Sequence, residues 1–199
     1  MRRSLKAGVF LLSLIITAPL IVVAWLEEKL ARGEALFLLS SQALAVLPGL
    51  LGSCLRGAYY YGTLERCSWQ THIGFGSLFT HRGAAVGSRV SMGAYCVIGH
   101  ARIGDGVMIG SRVSIPSGKR QHLDEEGRLA DVTRFDRVTI GANTWVGEGA
   151  IIMADVGSRC IVSAGAVVTK QMPNACLIGG NPAHVIRELS RDRLAAQVD

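Results

Sequence analysis

His122 is the residue in this chain best suited to chemistry. It sits early in "PSGKRQHLDEEGRLADVTRFDRV", with Asp124, Glu125 and Glu126 close behind. An imidazole can take a proton from a hydroxyl at neutral pH and return it later. No Ser or Cys stands beside His122 as a nucleophile, so the chemistry it suggests is direct group transfer to a hydroxyl. A solvated loop histidine is the plain alternative. Lys170 and Arg187, followed by Arg191 and Arg193, could hold a phosphate-bearing ligand or could simply be solvated charge. His72, His81 and His100 lie apart from one another, which suits corner or subunit-contact positions, and no metal is expected.

The element that must position these residues is a six-residue beat. Ile73-Gly74, Val86-Gly87, Met92-Gly93, Ile98-Gly99, Ile103-Gly104 and Ile109-Gly110 set it. It stops after Ile115 and returns at Ile140-Gly141, Val146-Gly147, Ile152, Val156-Gly157, Val162 and Val168. Such self-similarity predicts a parallel β-helix, in which each hexad sends one aliphatic side chain inward and three hexads close a triangular coil. Gly follows where a Cβ would be crowded or φ unusual. A flexible Gly-rich chain would lack this aliphatic register. The step from Ile152 to Val156 is short by two residues, so a corner must be cut there. The interruption that carries His122 must leave as a loop from one corner, with Pro116, Ser117 and Gly118 making the exit turn. Trp145 is too large for a thin core and should lie outside, near a groove or a subunit contact. "GGNPAHVIREL" reads as an irregular exit into a short helix.

The chain of 199 residues fits one domain with an appendage, and its charge of +6 suggests an anionic partner. Few aromatics and thinly spread cations argue against nucleic acid. Five cysteines without a CxxC pair read as reduced core thiols in a cytosolic domain. Residues 7–26 carry no charge, after Arg2, Arg3 and Lys6. A second uncharged run, 35–55, is broken at Pro48-Gly49 and followed by Arg56 and Arg66. A cleaved signal, a single span, and a hairpin or interfacial segment all fit this layout. Cations outside both runs and the net-negative "EEKLARGE" between them favour the hairpin.

From about Ile73 to Leu189 the chain resembles the hexapeptide-repeat acyltransferases, nearest the galactoside, maltose, streptogramin and chloramphenicol acetyltransferase branch. "IGDGVMIGSRVSI", a loop with His, "VTIGANTWVGEGAII", "VSAGAVVTK" and "GGNPAHVIREL" carry the resemblance in that order. The resemblance implies a left-handed β-helix, a homotrimer with sites between subunits, and acetyl-coenzyme A as co-substrate. It matches His122 to the general base and Trp145 to an aromatic at the thioester end of the groove. It matches Ala164, Thr169 and Lys170 to contacts with the pantetheine arm and nucleotide, and Arg187 to the 3′-phosphate. Tyr95 falls near an acceptor-contacting position that is usually Asn. His122 stands one or two residues later than in the typical loop. The gamma-type carbonic anhydrases share the fold, but their HxxxxH zinc pair is absent here.

The expected organisation is a membrane-associated helical segment over 1–57, a β-helix domain over 58–189 with its loop at 116–139, and a tail over 190–199. The expected function is O-acetylation of a sugar hydroxyl on a membrane-associated, lipid-linked glycan or polysaccharide precursor, at the cytoplasmic face of a bacterial inner membrane. A soluble acceptor such as an antibiotic or amino acid, and a non-catalytic β-helix scaffold, are the competing readings.

Overall fold

The computed structural model describes residues 2–189, with side chains from residue 4. Three helices come first: α1 (Arg2–Leu30), α2 (Ala35–Ala45) and α3 (Gly49–Thr63). A parallel β-solenoid of about six turns follows. Its first coil holds β1 (Arg66–Cys67), β2 (His72–Ile73) and β3 (Leu78–Phe79). The second holds β4 (Ala85–Val86), β5 (Ser91–Met92) and β6 (Val97–Ile98); the third holds β7 (Ala101–Ile103), β8 (Met108–Ile109) and β9 (Ser114–Ile115). After a loop come β10 (Val138–Ile140), β11 (Trp145–Val146) and β12 (Ile151–Ile152), then β13 (Ile161–Val162), β14 (Val167–Val168), β15 (Cys176–Gly180) and β16 (Ala183–Glu188).

The strands stack into three sheets, one for each side of the triangular prism. The first side is β1-β4-β7-β10, the second β2-β5-β8-β11-β13-β15-β16, and the third β3-β6-β9-β12-β14. On the first side Val156 and Met172 continue the stack as single bridges. The inward residues are the aliphatic members of the hexads. Ile73, Met92, Ile109, Val146, Val162 and Ile178 line the second side, and Phe79, Ile98, Ile115, Ile152 and Val168 the third, all buried. Close approach explains the glycine where one follows an inward aliphatic. A Cβ on Gly141 would lie 2.3 Å from the Ser158 nitrogen of the next coil. Positive φ falls further on, at Gly76, Tyr95, Arg112, Gly149 and Gly165, which stack at one corner.

The hexad spacing is kept at two corners and broken at only one. Cys67 to Ile73 to Phe79, Val86 to Met92 to Ile98, and Ile140 to Val146 to Ile152 are all steps of six. Between the third and first sides the step is seven from Phe79 to Val86, five from Ile98 to Ile103, and four both from Ile152 to Val156 and from Val168 to Met172. The long loop leaves from this same corner, between Ile115 and Val138. We refer to it as the variable corner.

The second apolar run is a cap on the solenoid. No coil lies before the first, so the outward peptide groups of Ile73 and Phe79 need partners from elsewhere. Arg56, fully buried in α3, donates through Nε and Nη2 to the Ile73 carbonyl at 3.2 and 3.1 Å, and through Nη1 to Leu44 and Leu47 carbonyls at 2.9 and 2.8 Å. Ser41 Oγ donates to the Phe79 carbonyl at 3.0 Å, and the Phe79 N–H donates to Tyr60 Oη at 3.2 Å. The expected hairpin is thereby corrected. The run breaks at Pro48-Gly49 into helices of 11 and 15 residues whose polar groups satisfy the solenoid end. Arg56 is accordingly a buried donor and no cationic flank of a membrane segment.

The far end closes differently from the sequence expectation. Residues 183–188 form β16, antiparallel to β15, where a short helix was expected. The last coil leaves a sheet edge open, and a strand carrying Val185 and Ile186 pairs with that edge through its backbone. Arg191 and Arg193 lie outside the described residues.

Candidate active site at the variable corner

The loop over 116–137 is a zipped ribbon. The Asp136 N–H donates to the Ser117 carbonyl at 3.1 Å, Arg134 to Gln121 at 2.9 Å, Ala130 to His122 at 2.9 Å and Asp124 to Arg128 at 2.9 Å. Ser117 at its neck is buried and accepts the His100 N–H at 2.8 Å. Gly118 makes the exit turn with φ +83°. Asp124 closes the tip by accepting from the Arg128 N–H at 2.8 Å and Nε at 3.0 Å. The Arg128 N–H bond holds the Asp124 carboxyl below its ordinary range. The acidic residues after His122 therefore serve the loop tip.

Three histidines gather at this corner, and their rings differ in occupation. His81 Nδ1 is 2.7 Å from Glu34 Oε2 and its ring lies 4.2 Å from that of Phe135. His100 Nε2 accepts from Arg137 Nε at 3.0 Å. The His122 ring is exposed and makes no side-chain hydrogen bond among the described residues. Arg137 also donates to the Gly83 carbonyl at 2.9 Å and to both Glu65 oxygens. The hydrogen bond from Arg137 pulls the Glu65 carboxyl below its ordinary range, against the opposing effect of burial. Lys119, Glu65, His100, Phe135 and Arg137 thus build the loop base, and none carried a motif by which sequence reading could find it.

The structure distributes the other expected site residues over the prism. Thr169 and Lys170 lie at the variable corner, two coils beyond the loop, and Lys119 Nζ reaches the Thr169 carbonyl at 3.4 Å. Lys170 is followed by a further strand, β15, so it does not end the solenoid. Trp145 faces outward on the second side, half exposed, in register between Met108 and Ile161. Arg187 sits on that side in β16, opposite Leu177. Ala164 and Tyr95 lie at the corner between the second and third sides, Tyr95 with φ 58° and its ring 5.4 Å from Phe75. The variable corner faces away from the second side of the triangle. One chain therefore does not bring His122 or Lys170 together with Trp145 or Arg187. Shallow grooves of about 410 and 390 Å³ lie on the first side, the larger around Asp155, Gln171 and Asn174, and neither includes an expected site residue.

Residues 137–170, which run from the loop base through the strands bearing Trp145 and Ala164 to Lys170, match the family model "hexapeptide repeat of succinyl-transferase". The chain carries a hexapeptide-repeat acetyltransferase fold. This hexapeptide-repeat chain is 33% identical over 94 residues to the galactoside O-acetyltransferase of Escherichia coli K12, covering 46% of each protein. It spans about half or less of the length of the curated relatives it matches. Among solved structures, a maltose O-acetyltransferase from Clostridium difficile 630 superposes with TM-score 0.71 at 23% identity, over 83% of this chain and 91% of that one. A hexapeptide-repeat acetyltransferase from Vibrio cholerae O1 biovar eltor, complexed with acetyl-coenzyme A, gives 0.64 at 21% identity over 79% and 92%. At those identities the two structures speak to fold.

Proposed function

We propose that this chain is an acetyl-coenzyme A-dependent O-acetyltransferase acting on a sugar hydroxyl of a membrane-associated glycan or polysaccharide precursor. The observation that carries the reading is the His122 loop, placed at the one corner where the solenoid departs from its hexads and continuous with the matched repeat over 137–170. His122 is the histidine of that corner with its ring free to accept a proton. In the reaction the imidazole takes the hydroxyl proton as the sugar oxygen attacks the thioester carbonyl. A backbone N–H of the groove stabilises the oxyanion. The carbon–sulfur bond then breaks, and the imidazolium returns the proton to the coenzyme A thiolate. No covalent enzyme intermediate is needed.

Because the variable corner and the second side point apart, the site is read as shared between copies in a homotrimer. The loop of one copy, with His122, meets Trp145 and Arg187 on its neighbour. Exposed Leu129 and Val132 on the loop supply apolar contact for that neighbour. Trp145 and Ala164 are assigned to the pantetheine groove, Thr169, Lys170 and Arg187 to the nucleotide with its 3′-phosphate, and Tyr95 to the acceptor. Acetyl-coenzyme A is cytosolic, so the solenoid is placed on the cytoplasmic side of the membrane to which the apolar α1 holds it. Tethering concentrates the enzyme with acceptors on the same surface.

Thermal unfolding of the detergent-solubilised protein with acetyl-coenzyme A, coenzyme A and dephospho-coenzyme A tests the reading. Stabilisation by the first two and a smaller shift with the third is expected. No shift with any of the three, well above a typical Kd, would transfer the fold to a scaffolding role.

A further inference from the structure

α1 has the length and apolarity to cross a membrane, yet it is fastened to the solenoid at two places. Near its start the Phe10 ring lies 6.1 Å from that of Trp69 and 5.2 Å from that of Tyr61. Trp69 belongs to the corner between β1 and β2. Fourteen residues on, the Ala24 carbonyl accepts from Arg82, whose guanidinium also lies 3.3 Å from both Glu27 and Glu28. Arg82 belongs to the corner between β3 and β4. These two corners bound the first side of the first coil. Fourteen helical residues span about 21 Å, close to the roughly 20 Å of a six-residue side. α1 therefore runs along one edge of the first coil, crosswise to the solenoid axis. Were it to cross a bilayer along the normal, that edge with Glu65, Arg66 and Arg82 would be carried to hydrocarbon depth.

The faces of α1 are also inverted relative to a soluble helix. Its inward stripe is Ser13, Thr17, Ile21, Ala24 and Glu27, all buried. Leu12, Ile15, Ile16 and Val22 are each more than half exposed on the outside, and Leu39 of α2 and Leu50 of α3 extend the bare apolar surface. Small and polar residues toward protein with aliphatics outward is the pattern of a lipid-facing helix. Cations stand at both ends: Arg2, Arg3 and Lys6 before the run, and exposed Lys29 and Arg32 after it. That charge complements anionic headgroups on one surface.

We infer that α1 lies in the plane of an anionic bilayer interface, with the tips of α2 and α3 beside it, and that the solenoid stands on the membrane with its axis along the normal. The inference rests on the membrane association proposed above and replaces crossing by lying flat. It fixes the reach of the site. Coils rise by about 4.8 Å each, so the loop base at the third coil stands roughly 10 Å beyond the first coil, and the helical layer beneath that coil adds about 10 Å more above the surface. Hydroxyls on the first few sugars of a lipid-anchored glycan lie at that height.

The test uses the full chain carrying Cys54→Ser, Ser4→Cys and Lys29→Cys, reconstituted into sealed phosphatidylcholine–phosphatidylglycerol vesicles. A membrane-impermeant maleimide is added outside, and labels per molecule are read by mass. With α1 in the plane, each molecule carries both labels or neither, whichever way it was incorporated. A population of singly labelled molecules would place the two ends on opposite sides, overturning the flat orientation while leaving membrane association standing. Failure of the protein to float with the vesicles, with self-association instead, would overturn both. Ile15→Glu with Ile16→Glu is expected to reduce flotation at least tenfold while leaving coenzyme A-induced stabilisation unchanged.

Discussion

His122 and His100 lie at one corner and should answer mutation differently. His122→Ala is expected to lower kcat by about 10²- to 10⁴-fold, the range for a lost general base, with an unchanged melting temperature because the residue is exposed and its ring makes no hydrogen bond among the described residues. A fall of less than about fivefold in an intact assembly would remove the base assignment. His100→Ala should instead lower the melting temperature, since it withdraws the acceptor of Arg137 Nε. The Glu65–Arg137 pair makes a second prediction. Glu65 is held below its ordinary range when folded, so its contribution is complete above the unfolded pKa, about 4.3, and fades as pH falls through the lower folded value. Melting curves should thus show a steeper loss below about pH 4 in the parent than in Arg137→Gln. The Cys67 and Cys176 thiols are pushed up to about 11, chiefly by burial, so neither should alkylate in the native protein near pH 8, as mass spectrometry would show.

At the scale of elements, the cap and the coils differ in how much of them was legible. Each inward aliphatic of the solenoid is repeated by its neighbours above and below, so Ile73, Met92 and Ile109 announce one another in sequence, and the β-helix follows. The two-residue shortfall at Ile152 was likewise visible and is met as a cut corner. Ser41 and Arg56 have no such repetition. In sequence Ser41 only dilutes an apolar run and Arg56 only flanks it, which is how a weak membrane helix also reads. Their meaning lies in carbonyls 9 to 38 residues away. β16 was missed for a related reason, since an edge that needs covering exists only after the coils have stacked. Arg56→Ala tests the cap. It strands the Ile73 carbonyl, which accepts from both Nε and Nη2, at about 1–3 kcal/mol where no water enters, whereas exposed Arg66→Ala should stay within about 0.5 kcal/mol. Denaturant unfolding distinguishes the two, and equal effects would mean the cap is not held by Arg56.

For the whole molecule, the separation of the variable corner from the Trp145 side is the decisive feature. The site residues could be placed in a family pattern from sequence, but their mutual distances could not, because sequence order does not reveal which face of a triangular prism each hexad occupies. If sites form between copies, two inactive variants should complement. Co-refolded His122→Ala and Trp145→Ala chains would regain a fraction of parent activity through mixed trimers with an unaltered interface, although each is inactive alone. No recovery in verified mixed trimers would place the whole site within one copy.

The variable corner has one more consequence. At the other two corners every step is six, so a residue added there would turn all later side chains out of phase. At the variable corner the chain already takes four, five, seven and twenty-five residues between inward positions, and the phase is restored on re-entry each time. The solenoid therefore behaves as a scaffold with a single adjustable port. A segment spliced at that corner alters how far the molecule reaches and what it recognises, without disturbing the order of the coils on either side.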